Sequence, residues 1–390
     1  VKREIFTLLL AAALLLFLCF SIKYFGKTAE ARKPVVVWYT VFKYDGDLLE
    51  KAARYRPDIV IISVFAEDDV VPLNGSSPSK LKELTDGLHG MNISVYYSYS
   101  VFSRSMYEEI KHTNLPVEQY LHVSGYAKYL RENDEKRYHE LFDYYLEHGL
   151  DPEDIPRVER KPVDGFYVEV GHYSMIDPLY EPYRRFIIQV INETVAIAKP
   201  DGLAFDHIRF FTFDEGYNRD IRDFILRNFD FDIYNFTPQP IFQLDSNGWT
   251  KADTTYYDSR AGVIAYASAD ILDKFPQYKK MATTMGVIDP ARSDGQYVEL
   301  QARQADTLLL MAYDRNSSEV ARNVRETAKK SGMDVILGIS LLTNETAVEN
   351  IKAGLDNRAS GIYLLGYNFG EDVHNYLLEI RGIKPNNSNT

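Results

Sequence analysis

Asp201-Gly202-Leu203-Ala204-Phe205-Asp206-His207-Ile208-Arg209-Phe210 is the stretch that decides the fold. Its apolar core is the right length for a buried strand, Asp206 ends the run, and an amphipathic helix expected over residues 183–198 leads into it. A helix feeding a buried strand is the unit of a parallel sheet, and the unit recurs in both directions. Upstream, residues 35–42, 58–64 and 93–99 read as strands, with helices near 47–55 and 79–89. Downstream, a helix over 260–274 precedes strands at 282–287, 307–313, 335–340 and 361–366, with helices at 319–331, 345–357 and 372–380. Counting residues 201–205 as the fourth, eight strands alternate with helices across residues 34–382, which predicts a (β/α)8 barrel. The competing arrangement, a doubly wound open sheet, wants a glycine-rich phosphate loop after the first strand, and Tyr39-Thr40-Val41-Phe42-Lys43 has none. Two long excursions, residues 102–182 and 211–258, follow the third and fourth strands. Both leave C-terminal strand ends, where barrel sites are built.

The N-terminus reads differently. Lys2 and Arg3 precede an apolar run over residues 5–22, whose 18 residues cover about 27 Å as a helix. Ala29-Glu30-Ala31, the A-x-A pattern that follows the run, is cut off from it by Lys23 and Lys27. Residues 1–33 are therefore expected to be an uncleaved signal anchor, a transmembrane helix plus linker, giving a single-pass cell-membrane protein. N-x-S/T occurs at Asn74, Asn92, Asn192, Asn235, Asn316, Asn344 and Asn386. Chance predicts about two such motifs, so the body is expected on the extracytoplasmic side. Cys19 is the single cysteine, which rules out an intramolecular disulfide framework. The net charge of −12 argues against a nucleic-acid partner. No H-x-x-x-H, H-E-x-x-H or G-x-S-x-G occurs, and neither metal nor cofactor is called for. Residues 383–390 form a polar tail.

Two segments carry a family resemblance. Asp177-Pro178-Leu179-Tyr180-Glu181-Pro182-Tyr183-Arg184-Arg185-Phe186 begins the helix before the fourth strand, and the decapeptide quoted above follows it. Together they resemble the glycoside hydrolase-like (β/α)8 barrel families, whose pattern is N-P-x-x-x-x-v-R-x-y and then D-G-[IV]-x-x-D-Y-[IV]-R-[FY]-P. Here Asp177 replaces Asn, His207 replaces Tyr and Phe211 replaces Pro. Arg260, Gly295-Gln296 and the sixth-strand Ala305-Asp306-Thr307-Leu308-Leu309-Leu310-Met311-Ala312-Tyr313-Asp314 extend the resemblance. It implies a carbohydrate-active hydrolase with a polysaccharide or oligosaccharide partner. A family 18 chitinase would carry its proton-donor Glu where this chain has Ile208, so substrate-assisted chitinase chemistry is not expected.

Glycoside hydrolysis needs two carboxyl groups, one of them held protonated. Asp206 and Asp314 follow the fourth and sixth strands and are the candidate catalytic pair, with Asp289 and Glu169 as reserve carboxylates. Asp289 follows the fifth strand, where the α-amylase class carries its acid, and is also a candidate for substrate contact. Arg209 pairs with a carboxylate or braces the loop, His207 is a wall residue, and both are candidates for substrate contact. The chain holds 29 Tyr and 21 Phe, and most must be core. Tyr39, Tyr97, Tyr99, Tyr313, Tyr367 and Asn368 lie at strand ends and are candidates to line sugar subsites. A catalytically silent barrel that binds glycan is the competing function. A deacetylase is a weaker third and lacks the metal ligands it would need.

Overall fold

A computed structural model describes residues 33–41, 47–64, 77–102, 136, 139, 159–163, 166–170, 177–210, 216–217, 219–236, 250–287, 295–312, 316–340, 344–365 and 371–383. Strands β1 (Val35–Val41), β2 (Ile59–Ser63) and β3 (Ser94–Ser100) alternate with helices α1 (Asp47–Tyr55) and α2 (Ser77–Gly90). A hairpin, β4 (Glu159–Val163) and β5 (Phe166–Val170), comes before α3 (Glu181–Ala198) and β6 (Gly202–Asp206). Next come α4 (Arg219–Phe229), a 3-10 turn at Ile233–Asn235, α5 (Lys251–Leu272) and β7 (Lys279–Thr284). The chain ends with α6 (Val298–Gln301), β8 (Thr307–Met311), α7 (Ser317–Ser331), β9 (Val335–Ser340), α8 (Asn344–Asp356), β10 (Ala359–Leu365) and α9 (Glu371–Ile380).

Eight parallel strands close in the order β1-β10-β9-β8-β7-β6-β3-β2, and the antiparallel hairpin forms a separate two-stranded sheet. This is the expected (β/α)8 barrel, with the β4–β5 hairpin inside the first excursion and α4 inside the second. Strands alternate their side chains, so each barrel strand sends one set inward and the other toward the helices. Val37, Ile61, Tyr96, Ala204, Met281, Leu309, Ile336 and Tyr363, one from every strand, form the interior cluster. Two glycines make room for its rings. A Cβ on Gly202 would lie 2.1 Å from Tyr96 Cε1, and one on Gly338 would lie 2.5 Å from Tyr363 Cδ1. The opposite faces pack outward. Tyr97, Tyr99, Leu203 and Phe205 meet Leu81, Leu84 and Leu88 of α2 and Ile187, Val190 and Ile191 of α3 in one buried layer.

The N-terminal rim uses one device three times. Asp58, Asp201 and Asp306 each precede a strand. Each donates its backbone N–H to the neighbouring strand and accepts that strand's N–H on its carboxylate. The donors are Val36 N to Asp58 Oδ2 at 2.8 Å, Val95 N to Asp201 Oδ2 at 2.8 Å and Lys280 N to Asp306 Oδ2 at 2.7 Å. Two of the three follow a helix that ends in a left-handed basic residue and a proline, Arg56-Pro57 and Lys199-Pro200, with φ of 47° at both. Asp201→Ala removes its bond to Val95 and the 2.9 Å contact with His89 Nε2. Unfolding in urea should show it less stable by about 1–2 kcal/mol.

The expected N-terminal transmembrane helix is corrected, together with the single-pass membrane location and the membrane partner that rested on it. Among the described residues no helix is long and apolar enough to cross a membrane. The two of sufficient length, α3 with 18 residues and α5 with 22, each carry four or more charged side chains. Residues 5–22 lie outside the described residues, as does the polar tail from residue 384 onward.

Candidate functional site

Because Ala204 points into the barrel, Asp206 two residues on does so as well, at the C-terminal end of β6. The same alternation turns Ser98 and Ser100 of β3 inward after Tyr96, and Thr283 of β7 inward after Met281. Ser63, in register with Ser98, does the same on β2 after Ile61. The barrel is apolar at its middle layer and hydroxyl-lined above it on β2, β3 and β7, the strands beside and next to β6. Asp206 sits in this arc with 16% of its side chain exposed.

Asp206 Oδ1 accepts two hydrogen bonds, from Thr283 Oγ1 at 2.6 Å and from the His207 backbone N–H at 2.7 Å. The His207 imidazole reaches across to β3, with Nδ1 3.1 Å from Ser100 Oγ and 3.7 Å from Asp206 Oδ2. Burial raises the cost of ionising Asp206. The imidazole of His207, the Thr283 hydroxyl, the His207 N–H and the Arg209 guanidinium together outweigh it, so the carboxyl titrates below its ordinary value. Asp206 is thus a carboxylate at neutral pH. It can attack, abstract a proton or stabilise positive charge, and it is not a proton donor.

His207 holds this position with φ of 51°, in the left-handed region. A non-glycine residue there costs about 1–3 kcal/mol, and such outliers concentrate at functional sites. The loop beyond it rests on a buried stack. Arg260 of α5, 1% exposed, places its guanidinium carbon 4.0 Å from the Phe210 ring centroid and donates from Nη1 to Tyr256 Oη at 3.2 Å. The residue that the family pattern singled out on α5 therefore braces the loop after Asp206 from below.

The structure brings together three of the expected site residues, Asp206, His207 and Arg209. It separates two others, and this is a correction. Tyr97 and Tyr99 are 0% exposed and face the helices, where Tyr97 Oη is 2.7 Å from Thr85 Oγ1. Buried outside the barrel wall, they cannot line a subsite. Tyr39 is described only in its backbone, which pairs with Ile61 and Leu365. Likewise Glu169 is described only in its backbone, which pairs with Arg160 in the hairpin. Asp289, Tyr313, Asp314, Tyr367 and Asn368 lie outside the described residues. Among the described residues no group of three or more His, Cys, Asp or Glu could hold a metal ion.

Ser100 and Thr283 were not singled out in the sequence. The signal for Ser100 was available: in Ser94-Val95-Tyr96-Tyr97-Ser98-Tyr99-Ser100 one parity carries the serines and the other carries Tyr97 and Tyr99.

No family model matches the sequence. Among solved structures the chain is similar to the beta-galactosidase of the psychrophilic Marinomonas ef1, with a TM-score of 0.51 and 9% identity over 84% of this chain and 53% of that one. It is also similar to the GH36 alpha-galactosidase of Geobacillus stearothermophilus, with a TM-score of 0.42 and 12% identity over 90% of this chain and 41% of that one. A third is the homocysteine methyltransferase of Escherichia coli, with a TM-score of 0.40 and 9% identity over 85% and 83%. The chain thus spans about half, or less, of the length of the two galactosidases. At 9% identity the likeness to the Marinomonas ef1 protein shows the fold alone, the (β/α)8 barrel that the strand order closes.

Proposed function

We propose that residues 34–382 form the barrel of a glycoside hydrolase that cleaves an oligosaccharide or polysaccharide, with Asp206 as its charged carboxylate. The observation that carries this reading is Asp206 itself. It stands at the C-terminal end of β6 and is kept ionised by Thr283, His207 and Arg209. An ionised carboxylate facing an anomeric carbon does one of two things. With its partner carboxyl about 5–5.5 Å away it attacks and forms a glycosyl-enzyme; at about 6.5–9.5 Å it deprotonates the attacking water. We assign the partner to Asp314, three residues beyond β8, which would donate its proton to the departing glycosidic oxygen. Asp289 and Glu169 are the next to test. His207 and Arg209 hold Asp206 in its charged form, and Tyr39, Tyr313, Tyr367 and Asn368 remain assigned to substrate contact.

The test is reducing-sugar release from a panel of polysaccharides and aryl glycosides, galactosides included, run alongside glycan binding. Cleavage that Asp206→Asn abolishes is the expected result. A glycan that binds without being cleaved would replace the hydrolase with the silent glycan-binding barrel, a reading for which the departures at His207, Ile208 and Phe211 leave room.

A further inference from the structure

We propose that Thr283 is the positioning residue of this site, aiming Asp206 through a hydrogen bond whose donor is locked by two buried glutamines. The inference deepens the hydrolase reading and rests on it for its kinetic consequences. Thr283 is 1% exposed, and its β-branched side chain has few rotamers open to it. Its hydroxyl proton goes to Asp206 Oδ1 at 2.6 Å. Its own carbonyl accepts from Gln301 Nε2 at 3.0 Å and from Gln296 Nε2 at 3.3 Å. Gln296 Oε1 in turn accepts from Met285 N at 3.0 Å. Asn323 completes the set from α7, donating from Nδ2 to Met285 O at 3.0 Å and accepting from Val287 N at 3.1 Å.

Three side-chain amides therefore converge on five consecutive residues, 283–287, and take the place of ladder partners where β7 leaves the barrel wall. Gln296, Gln301 and Asn323 are 2%, 7% and 0% exposed. Burying a polar amide is unfavourable unless it is hydrogen-bonded; Gln296 and Asn323 are bonded at both ends of their amides and Gln301 through Nε2 alone, so the first two specify one geometry for the strand end and Gln301 adds a donor to it. The geometry they specify places the Thr283 hydroxyl on the carboxylate. The other side chains that lower the Asp206 value, His207 and Arg209, belong to its own loop. Thr283 is the contact that ties the carboxylate to the neighbouring strand β7.

Thr283→Val keeps the shape and removes the donor, and Thr283→Ser keeps the donor. The carbon-13 signal of the Asp206 carboxyl, assigned by its loss in Asp206→Asn, is titrated in each full-length variant, and kcat and KM are measured on the cleaved glycan. Thr283→Val should move the Asp206 titration upward and lower kcat about tenfold, with KM within about twofold. Thr283→Ser should restore both. If Thr283→Val does not fold, Gln301→Met is read in its place and should move the titration in the same direction. An unmoved Asp206 titration in the folded variant, or a Thr283→Ser protein that behaves like Thr283→Val, overturns the proposal. An upward shift in a protein that cleaves no glycan leaves the positioning role standing and removes the hydrolase.

Discussion

Asp206→Asn is expected to eliminate glycoside hydrolysis, by about a thousandfold or more in kcat, in a protein that remains folded. Asparagine is isosteric, and its carbonyl oxygen can still accept from Thr283 Oγ1 and the His207 N–H. What disappears is the negative charge, which is needed only as the anomeric carbon becomes electron-poor. Each 1.36 kcal/mol of lost transition-state stabilisation is a factor of ten, so about 4 kcal/mol accounts for the loss. The pH dependence has a definite sign. The folded state holds the Asp206 carboxyl below its ordinary value, because the His207, Thr283 and Arg209 contributions outweigh burial. Wild-type turnover should therefore persist through the ordinary carboxylate range and fall only on further acidification. The stability contributed by the ionised group is present above the unfolded carboxylate value and is lost as pH falls through the folded one. The melting difference between wild type and Asp206→Asn should narrow over that interval. A variant with wild-type turnover would remove Asp206 from the chemistry.

The barrel was legible because its strands are buried on both faces and read as short apolar runs. Residues 335–340 were expected as the seventh strand and are β9. The fifth strand was placed at 282–287 and lies at Lys279–Thr284, because its first two residues are lysines at the N-terminal rim, where Lys279 is exposed. That slip hid Thr283 inside a strand beginning and obscured its inward parity. Helix α4 went unread inside the second excursion. It buries only Ile221 and Ile225 among five charged residues, so its apolar stripe is narrow. The paired Arg56-Pro57-Asp58 and Lys199-Pro200-Asp201 turns are a repeat that the sequence carries plainly, yet their shared role appears only in the ladder bonds they make. In the site, Asp206 could be found from where its strand ends. Its partners on β3 and β7 are far away in sequence, and strand order and register alone bring them to it.

Tyr99→Ala should cost about 3–5 kcal/mol of stability, the range for removing a large aromatic side chain from a packed core. Tyr99 is 0% exposed, lies 6.4 Å ring to ring from Phe205, and shares its buried layer with Ile187 and Ile191 of α3. Burial pushes its phenol well above the ordinary tyrosine value, with the charge of neighbouring Tyr97 acting in the same direction. Truncation leaves a cavity between the barrel wall and α3 that neither the strand nor the 18-residue helix can close without giving up other contacts. Tyr97→Phe loses one hydrogen bond, to Thr85, and should cost only about 1 kcal/mol. The two roles available to a strand-end tyrosine predict opposite outcomes. A ring lining a sugar subsite would raise KM when truncated and leave the unfolding midpoint almost unchanged. A ring packed behind the wall lowers the midpoint in urea and leaves KM of the surviving folded fraction near wild type. Urea unfolding of Tyr99→Ala and Tyr97→Phe, with KM on the cleaved glycan, separates them, and a raised KM at unchanged midpoint would return Tyr99 to the barrel mouth.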